Sequence, residues 1–93
     1  MKPPTDIEGE SVEYNFGAGL VPSHRHPNGG GWVADTAFVD ATAFIGINAE
    51  VFGNAWVLGN ARVYDDASVY DDARVFGNAW VFGNAWVFGN AWV

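Results

Sequence analysis

The chain has 93 residues and a formal net charge of −7 at pH 7, with 11 acidic side chains against 4 Lys and Arg. This charge excludes unaided binding to nucleic acid, which requires clustered Lys and Arg against the phosphates. Because the chain contains no Cys, it forms no disulfide, thiolate metal site or Cys nucleophile. It has no apolar run near the ~20 residues of a membrane span and no signal-peptide core at its start. We therefore expect a cytoplasmic protein that does not contact membranes.

Residues 1–30 differ from the rest of the chain and are predicted to form an N-terminal cap or linker segment. Val12, Tyr14 and Phe16 alternate with polar residues, as in a strand. A solenoid needs its open end covered, since the first coil otherwise exposes core side chains and unpaired strand edges. We expect this segment to cover the first coil.

The segment from Ser23 to Trp32 is the one that suggests chemistry. It contains both histidines, Arg25 and a triple glycine. Arg and protonated His pair with phosphate or carboxylate, consecutive glycine amides form an anion-binding concavity, and Trp32 offers a stacking face. A small anionic, nucleotide-like ligand would suit this segment. The predicted ligand-binding residues are His24, Arg25, His26, Asn28, Gly29, Gly30 and Trp32.

An alternative interpretation of the same segment is a glycine turn that leads into the repeat. The segment contains neither of the common glycine-rich phosphate-binding motifs. His24 and His26 have no third metal ligand nearby in the sequence. We therefore predict no metal and no cofactor, and the ligand-binding and capping interpretations both stay open.

From residue 31 onward, one hexad repeats to the end of the chain. A branched aliphatic side chain recurs every six residues, and a small residue stands two places before each one. Alternation in a strand sends these two side chains to one face, and Gly-Asn or Asp-Asp then forms a turn. Each hexad is therefore predicted to be a short strand followed by a corner. The aliphatic residues are Val33, Val39, Ile45, Val51, Val57, Val63, Val69, Val75, Val81, Val87 and Val93.

This hexad, A-x-V-x-G/D-N/D over residues 31–93, resembles the hexapeptide-repeat left-handed parallel β-helix family. The resemblance implies three hexads per triangular coil, and hence about 3.5 coils of a single-stranded left-handed parallel β-helix. The predicted fold is therefore an all-β solenoid over residues 31–93 with a capping segment over residues 1–30. The resemblance also implies a homo-oligomer, with a trimer as the favoured form.

Large aromatic side chains are predicted to point outward on all three sides of the coil. Aromatic ladders between adjacent coils would brace the stack, but a monomer rarely exposes a large contiguous apolar patch. Association of copies is the natural way to cover such a patch. The open coil at Val93 is interpreted either as an end that another subunit covers or as a truncated or designed end. The predicted self-association residues are Trp56, Trp80, Phe82, Trp86, Phe88 and Trp92.

The acidic pairs Asp65-Asp66 and Asp71-Asp72 are six residues apart, so they are predicted to lie at neighbouring corners of one coil. Neighbouring corners of one coil belong to different edges of the solenoid, so the two acidic pairs would not stack on each other. Because calcium needs six or more converging oxygen ligands, we interpret these acids as solvated turn residues.

The sequence as a whole predicts a non-catalytic module that associates with itself and binds a partner. No nucleophile–base constellation is evident, and the repeat contains no His, so we do not expect an enzyme. The expected partner is a small anionic ligand or a host protein. Two alternatives stay open. One is a purely structural module that builds an assembly or fibre, and the other is an acidic protein-surface mimic that inhibits a partner protein.

Overall fold

The computed structural model describes residues 12–17 and 19–93, so part of the predicted cap segment lies outside the described residues. Within the described residues the chain forms twelve strands and no helix, and hence no helix with the length and apolarity needed to span a bilayer. The strands are β1 (Val12–Asn15), β2 (Leu20–Arg25), β3 (Trp32–Ala34), β4 (Phe38–Val39), β5 (Phe44–Ile45), β6 (Glu50–Val51), β7 (Trp56–Val57), β8 (Arg62–Val63), β9 (Ser68–Val69), β10 (Arg74–Val75), β11 (Trp80–Val81) and β12 (Trp86–Val87).

Each strand from β3 to β9 pairs in parallel with the strand three further along the chain. Val33 pairs with Val51 and Val51 with Val69, so paired residues are eighteen apart. The pairs build three sheets, which we call face A (β3, β6, β9 and β12), face B (β4, β7 and β10) and face C (β5, β8 and β11). Three strands and three corners therefore make one turn. The predicted all-β parallel solenoid is confirmed, with three complete turns and a fourth that begins at β12.

The core consists of the small and aliphatic side chains of the hexads. A small residue is needed beside each aliphatic one because a second large side chain would overpack the narrow interior. Val39 is only partly buried, because β4 is the edge strand of face B, and Val93 is 43% exposed. The fully buried residues of the repeat include Val33, Ala43, Ile45, Ala49, Val51, Ala55, Val57, Ala61, Val63, Ala67, Val69, Ala73 and Val75.

The corners use left-handed backbone angles, as the Gly-Asn and Asp-Asp pairs predict. Gly53 has a φ of +68°, and Asp65 and Asp71 have φ angles of 59° and 60°. The carboxylates of Asp65 and Asp71 each accept a hydrogen bond of 3.2 Å from the next turn, from the amides of Gly83 and Gly89 respectively. Each of these two acids therefore links its own corner to the corner of the next turn, which stacks on it.

An antiparallel hairpin of β1 and β2 extends face A beyond the first turn. Strand β2 pairs with β3, which places Arg25 opposite Trp32 and Ser23 opposite Ala34. Ser23 is fully buried, and its hydroxyl donates to the carbonyl of Val21 at 2.9 Å. The hairpin therefore supplies partners to the edge of β3, which a solenoid would otherwise expose.

We expect Val63→Asp to unfold the protein. Val63 is fully buried within the core, so the new carboxylate would lose its water without gaining a partner. Such a cost approaches the whole stability of a small domain, about 5–15 kcal/mol. Arg62→Asp is the matched control, because Arg62 is the neighbouring residue and is exposed. Circular dichroism and thermal unfolding would check this, and a Val63→Asp protein that melts like the wild type would disprove the inward position of the aliphatic series.

Candidate functional site

The loop after β2, residues 26–31, closes the first turn over β5, and we call it the cap loop. Its ends are joined by a bond of 2.8 Å from the amide of His26 to the carbonyl of Gly31. The loop bonds to the backbone of Ile45 in both directions. Gly31 N donates to Ile45 O at 2.9 Å, and Ile45 N donates to Asn28 O at 3.0 Å. The cap loop therefore gives face C backbone partners, as β2 does for face A.

The His26 side chain takes the place of a backbone donor of the solenoid. Inside the stack, alanine carbonyls accept from the amide seventeen residues earlier, as Ala49 does from Trp32 at 3.2 Å. The carbonyl of Ala43, in the first turn, accepts instead from His26 Nε2 at 2.9 Å and from Asn28 Nδ2 at 3.1 Å. His26 is buried, and this burial lowers its pKa. Because a carbonyl only accepts, the neutral ring carries its proton on Nε2.

The glycines of the cap loop let its backbone lie close against β5. A Cβ on Gly29 would stand 2.2 Å from the carbonyl oxygen of Ile45, and one on Gly31 would stand 2.3 Å from the Cγ2 of the same residue. The amides of Gly30 and Gly31 donate to the carbonyls of His26 and Ile45, at 3.0 and 2.9 Å. The triple glycine therefore has a packing role, and two of its amides bond within the protein.

Arg25 and Trp32 form a second group, on the outside of face A. The guanidinium carbon of Arg25 lies 4.4 Å from the centroid of the Trp32 ring, and its Nη1 donates to the carbonyl of Gly30 at 2.9 Å. Tyr14 stacks on the same indole with centroids 4.4 Å apart and donates its hydroxyl to Glu50 at 2.8 Å. Burial and this hydrogen bond to Glu50 raise the pKa of Tyr14. A cavity of about 260 Å³ is lined in part by these four side chains.

The structure therefore divides the predicted ligand-binding residues. His26, Asn28, Gly29 and Gly30 belong to the cap loop, whereas Arg25 and Trp32 lie on face A. His24 belongs to neither group, since its Nδ1 lies 2.7 Å from a carboxylate oxygen of Asp35.

Sequence reasoning missed Tyr14 and Glu50 as members of this site. The eighteen-residue spacing pairs Glu50 with Trp32, so that contact had a signal in the sequence. Tyr14 reaches Trp32 only through the hairpin. Among the described residues, no group of three or more His, Asp or Glu side chains is arranged to hold a metal ion.

Aromatic ladders brace the corners between turns, as one of the two interpretations of the outward aromatics predicts. The rings in these ladders stack with interplanar angles of 4° to 18°. The first ladder continues from the hairpin into the solenoid, so it joins the cap to the repeat. The ladders are Phe16–Phe52–Tyr70–Phe88, with centroids 4.7, 4.8 and 5.4 Å apart, and Tyr64–Phe82, with centroids 5.3 Å apart.

Comparison with known families agrees with this architecture. Residues 67–83, which include β9, β10 and β11, match the family model described as the YdcK beta solenoid repeat. The chain has an all-β solenoid fold, in agreement with this match. Neither the curated proteins nor the solved structures compared with it gave a match. The match covers a small part of the chain and bears on its fold alone.

Acid should destabilise the protein through His26. Burial holds the pKa of His26 below its ordinary value of 6.5, so the unfolded chain takes up a proton at a pH where the folded chain does not. The contribution of His26 to the free energy of unfolding should therefore be constant above about pH 7.5 and fall as the pH drops through about 6.5, by at most about 1.4 kcal/mol per pH unit. Urea unfolding at pH 7.5 and pH 5.5 measures this loss. His26→Gln keeps a side-chain donor without the titration, and an equal acid loss in both proteins would contradict the assignment.

Arg25→Ala distinguishes the capping role of Arg25 from the predicted anion site. The contacts of Arg25 with Trp32 and Gly30 lead us to expect a lower melting temperature, from a loss on the order of 1 kcal/mol. Arg62→Ala is the comparison, because Arg62 is exposed and its guanidinium carbon lies farther from its indole, 6.0 Å from the ring centroid of Trp80, so its loss should lower the melting temperature less. The anion hypothesis predicts the reverse pattern in calorimetric titrations with nucleotides and dicarboxylates. In the titrations, the wild type would bind and Arg25→Ala would not. In thermal unfolding, both proteins would melt at the same temperature.

Proposed function

We propose that this protein is a non-catalytic structural module that associates with copies of itself through face B. The exposure of Phe38 and Trp56, 53% and 41% respectively, carries the proposal. Trp56 pairs with Phe38 on one side and with Arg74 on the other. Its exposure is therefore a property of the lateral face and does not come from an end of the stack.

Face B presents these rings together with further apolar side chains. Phe38, Trp56 and Leu58 line a recess of about 340 Å³, and Phe76, on the next turn, is 43% exposed. Covering such a surface is favourable by roughly 25 cal/mol per Å² of apolar area removed from water. Patches of this kind on a folded protein mark interaction sites.

A second copy of the chain is the partner that we propose for this face. Every copy carries the same patch, and a twofold axis pairs one patch with itself. Two copies with a net charge of −7 each repel one another, so association by apolar burial should strengthen as salt screens this repulsion. A basic partner protein would show the opposite salt dependence, because salt would weaken its attraction to the acidic chain.

The other predicted activities find less support in the contacts. Glu50 lines the same cavity as Arg25 and Trp32, and its carboxylate disfavours an anion there. The anionic ligand therefore stays a prediction, which Arg25→Ala tests. The hypothesis of an acidic protein-surface mimic rests on charge alone. Binding of such a mimic to a basic partner protein would weaken at higher salt, as described above.

We further propose that the solenoid is of the hexapeptide-repeat, left-handed type. The turn of eighteen residues with three faces supports this proposal. The aromatic or Leu side chain after most of the aliphatic residues is its departure from that family. The trimer and the cytoplasmic location stay predictions.

Phe38→Ser combined with Trp56→Ser should reduce self-association. Sedimentation velocity at micromolar concentrations in 50 and 500 mM NaCl would measure it. We expect the mean mass of the wild type to increase at higher salt. The association constant of the double variant should be at least about tenfold lower than that of the wild type, since two exposed rings contribute at least about 1.4 kcal/mol. Ile47→Ser is the matched control, because Ile47 is 58% exposed but lies at a corner outside face B. A wild type that stays monomeric in both buffers would refute the proposal.

A further inference from the structure

Three Trp side chains of the repeat share one arrangement, one on each face. Each packs edge-on against the aromatic ring sixteen residues earlier, with ring centroids 6.1 to 6.4 Å apart and interplanar angles of 70° to 84°. Each also lies next to the residue eighteen places earlier, its partner in the parallel pairing. The three pairs are Trp80 with Tyr64 on face C, Trp86 with Tyr70 on face A and Trp92 with Phe76 on face B.

On two of the faces, the residue beside the Trp is an arginine. The guanidinium carbon of Arg74 lies 5.7 Å from the ring centroid of Trp92 and 4.3 Å from that of Trp56. The guanidinium carbon of Arg62 lies 6.0 Å from the ring centroid of Trp80. A guanidinium over an indole face is a favourable cation–π pair. Faces B and C therefore each carry a cation of their own against the Trp.

On face A, the same place is taken by Ser68, which pairs with Trp86. A hydroxymethyl group is much shorter than an arginine side chain and brings no charge. A cavity of about 390 Å³ lies at this point. The residues that line it are Phe16, Gly17, Glu50, Phe52, Ser68, Tyr70 and Trp86.

Glu50 places a carboxylate at the edge of this cavity. It pairs with Ser68 in the parallel sheet, and one of its oxygens, Oε2, accepts the hydroxyl of Tyr14 at 2.8 Å. A carboxylate has about four acceptor positions, so the bond from Tyr14 leaves it able to accept from a ligand. The cavity thus combines an anionic group with an indole, whereas faces B and C combine an indole with a guanidinium.

We propose that this cavity, the face A recess, binds the guanidinium group of a small arginine-like ligand. The ligand takes the place that Arg62 and Arg74 occupy on the other two faces. Its planar fork donates to Glu50, and its face lies against Trp86. The net charge of −7 attracts a cation to the protein and disfavours an anion.

The geometry favours a guanidinium over an ammonium group for two reasons. Both internal cations that face a Trp of the repeat in this arrangement are Arg. A guanidinium also offers a flat surface to the indole and several donors to the carboxylate at once, whereas an ammonium is a compact and more strongly hydrated charge. The ammonium ligand is therefore the natural comparison in a test.

Binding can be measured by following the indole N–H signals in nuclear magnetic resonance during titration with methylguanidinium chloride. Sodium chloride at equal ionic strength serves as the blank, and methylammonium chloride serves as the comparison ligand. Trp86→Phe assigns the Trp86 signal. We expect this signal to shift with a Kd on the order of 1–10 mM, while the signals of Trp80 and Trp92, which face internal arginines, stay in place.

Three variants locate the binding to the face A recess. Ser68→Arg supplies an internal guanidinium and should abolish the shift of Trp86. Glu50→Gln keeps the size and the polar character of Glu50 and should weaken binding by at least about fivefold, through the loss of a charge-assisted hydrogen bond. Ser68→Ala is the matched control, because it keeps the cavity and should bind like the wild type. Circular dichroism would establish that all three variants are folded, which their outward positions lead us to expect.

Several outcomes would overturn the proposal. One is a Trp86 signal that does not respond to methylguanidinium, and another is equal affinity in the wild type and Ser68→Arg. Unchanged affinity in Glu50→Gln would show that the Glu50 carboxylate does not contribute to binding. Equal affinity for methylammonium would show a general cation site in place of a guanidinium site.

Discussion

The hydrogen bonds between successive turns are the constraint on which the rest of the structure depends. Inside the stack, amides donate to the carbonyl seventeen residues later, as in Phe38 to Ala55 at 2.9 Å and Phe44 to Ala61 at 3.0 Å. These bonds form only if every turn has the same length. A shift of one residue would turn the whole set of core side chains outward. The strict hexad is therefore what this bonding pattern requires of the sequence.

The same constraint explains the first turn. A carbonyl at the start of the stack has no earlier turn to accept from, and an unpaired buried backbone group is costly. Ala43 resolves this by accepting from the side chains of His26 and Asn28, and Ile45 bonds to the backbone of the cap loop. An imidazole and an amide that look like ligand-binding groups in the sequence are therefore donors that complete a sheet.

Contrasts between residues show what the sequence can and cannot predict. The burial of Val63 and the left-handed angle at Asp65 follow from local pattern, because strand alternation and turn chemistry act within one hexad. The pairing of Trp32 with Glu50 follows from the eighteen-residue spacing that the family resemblance supplies. The contact of His26 with Ala43 does not follow from the sequence. It depends on how a loop outside the repeat folds over β5, and no periodicity reports that geometry.

A repeat also makes its own exceptions informative. Because the parallel strands of the three faces pair in the same register, equivalent residues can be compared by their side-chain chemistry. Arg62 and Arg74 place a cation beside an indole, whereas Ser68 leaves a cavity beside Trp86 with Glu50 at its edge. The hairpin completes this cavity, since Phe16 and Gly17 also line it. In a solenoid whose core is fixed by its hydrogen bonds, outward side chains can differ from face to face without a change in the core, and the site proposed on face A rests on such a difference.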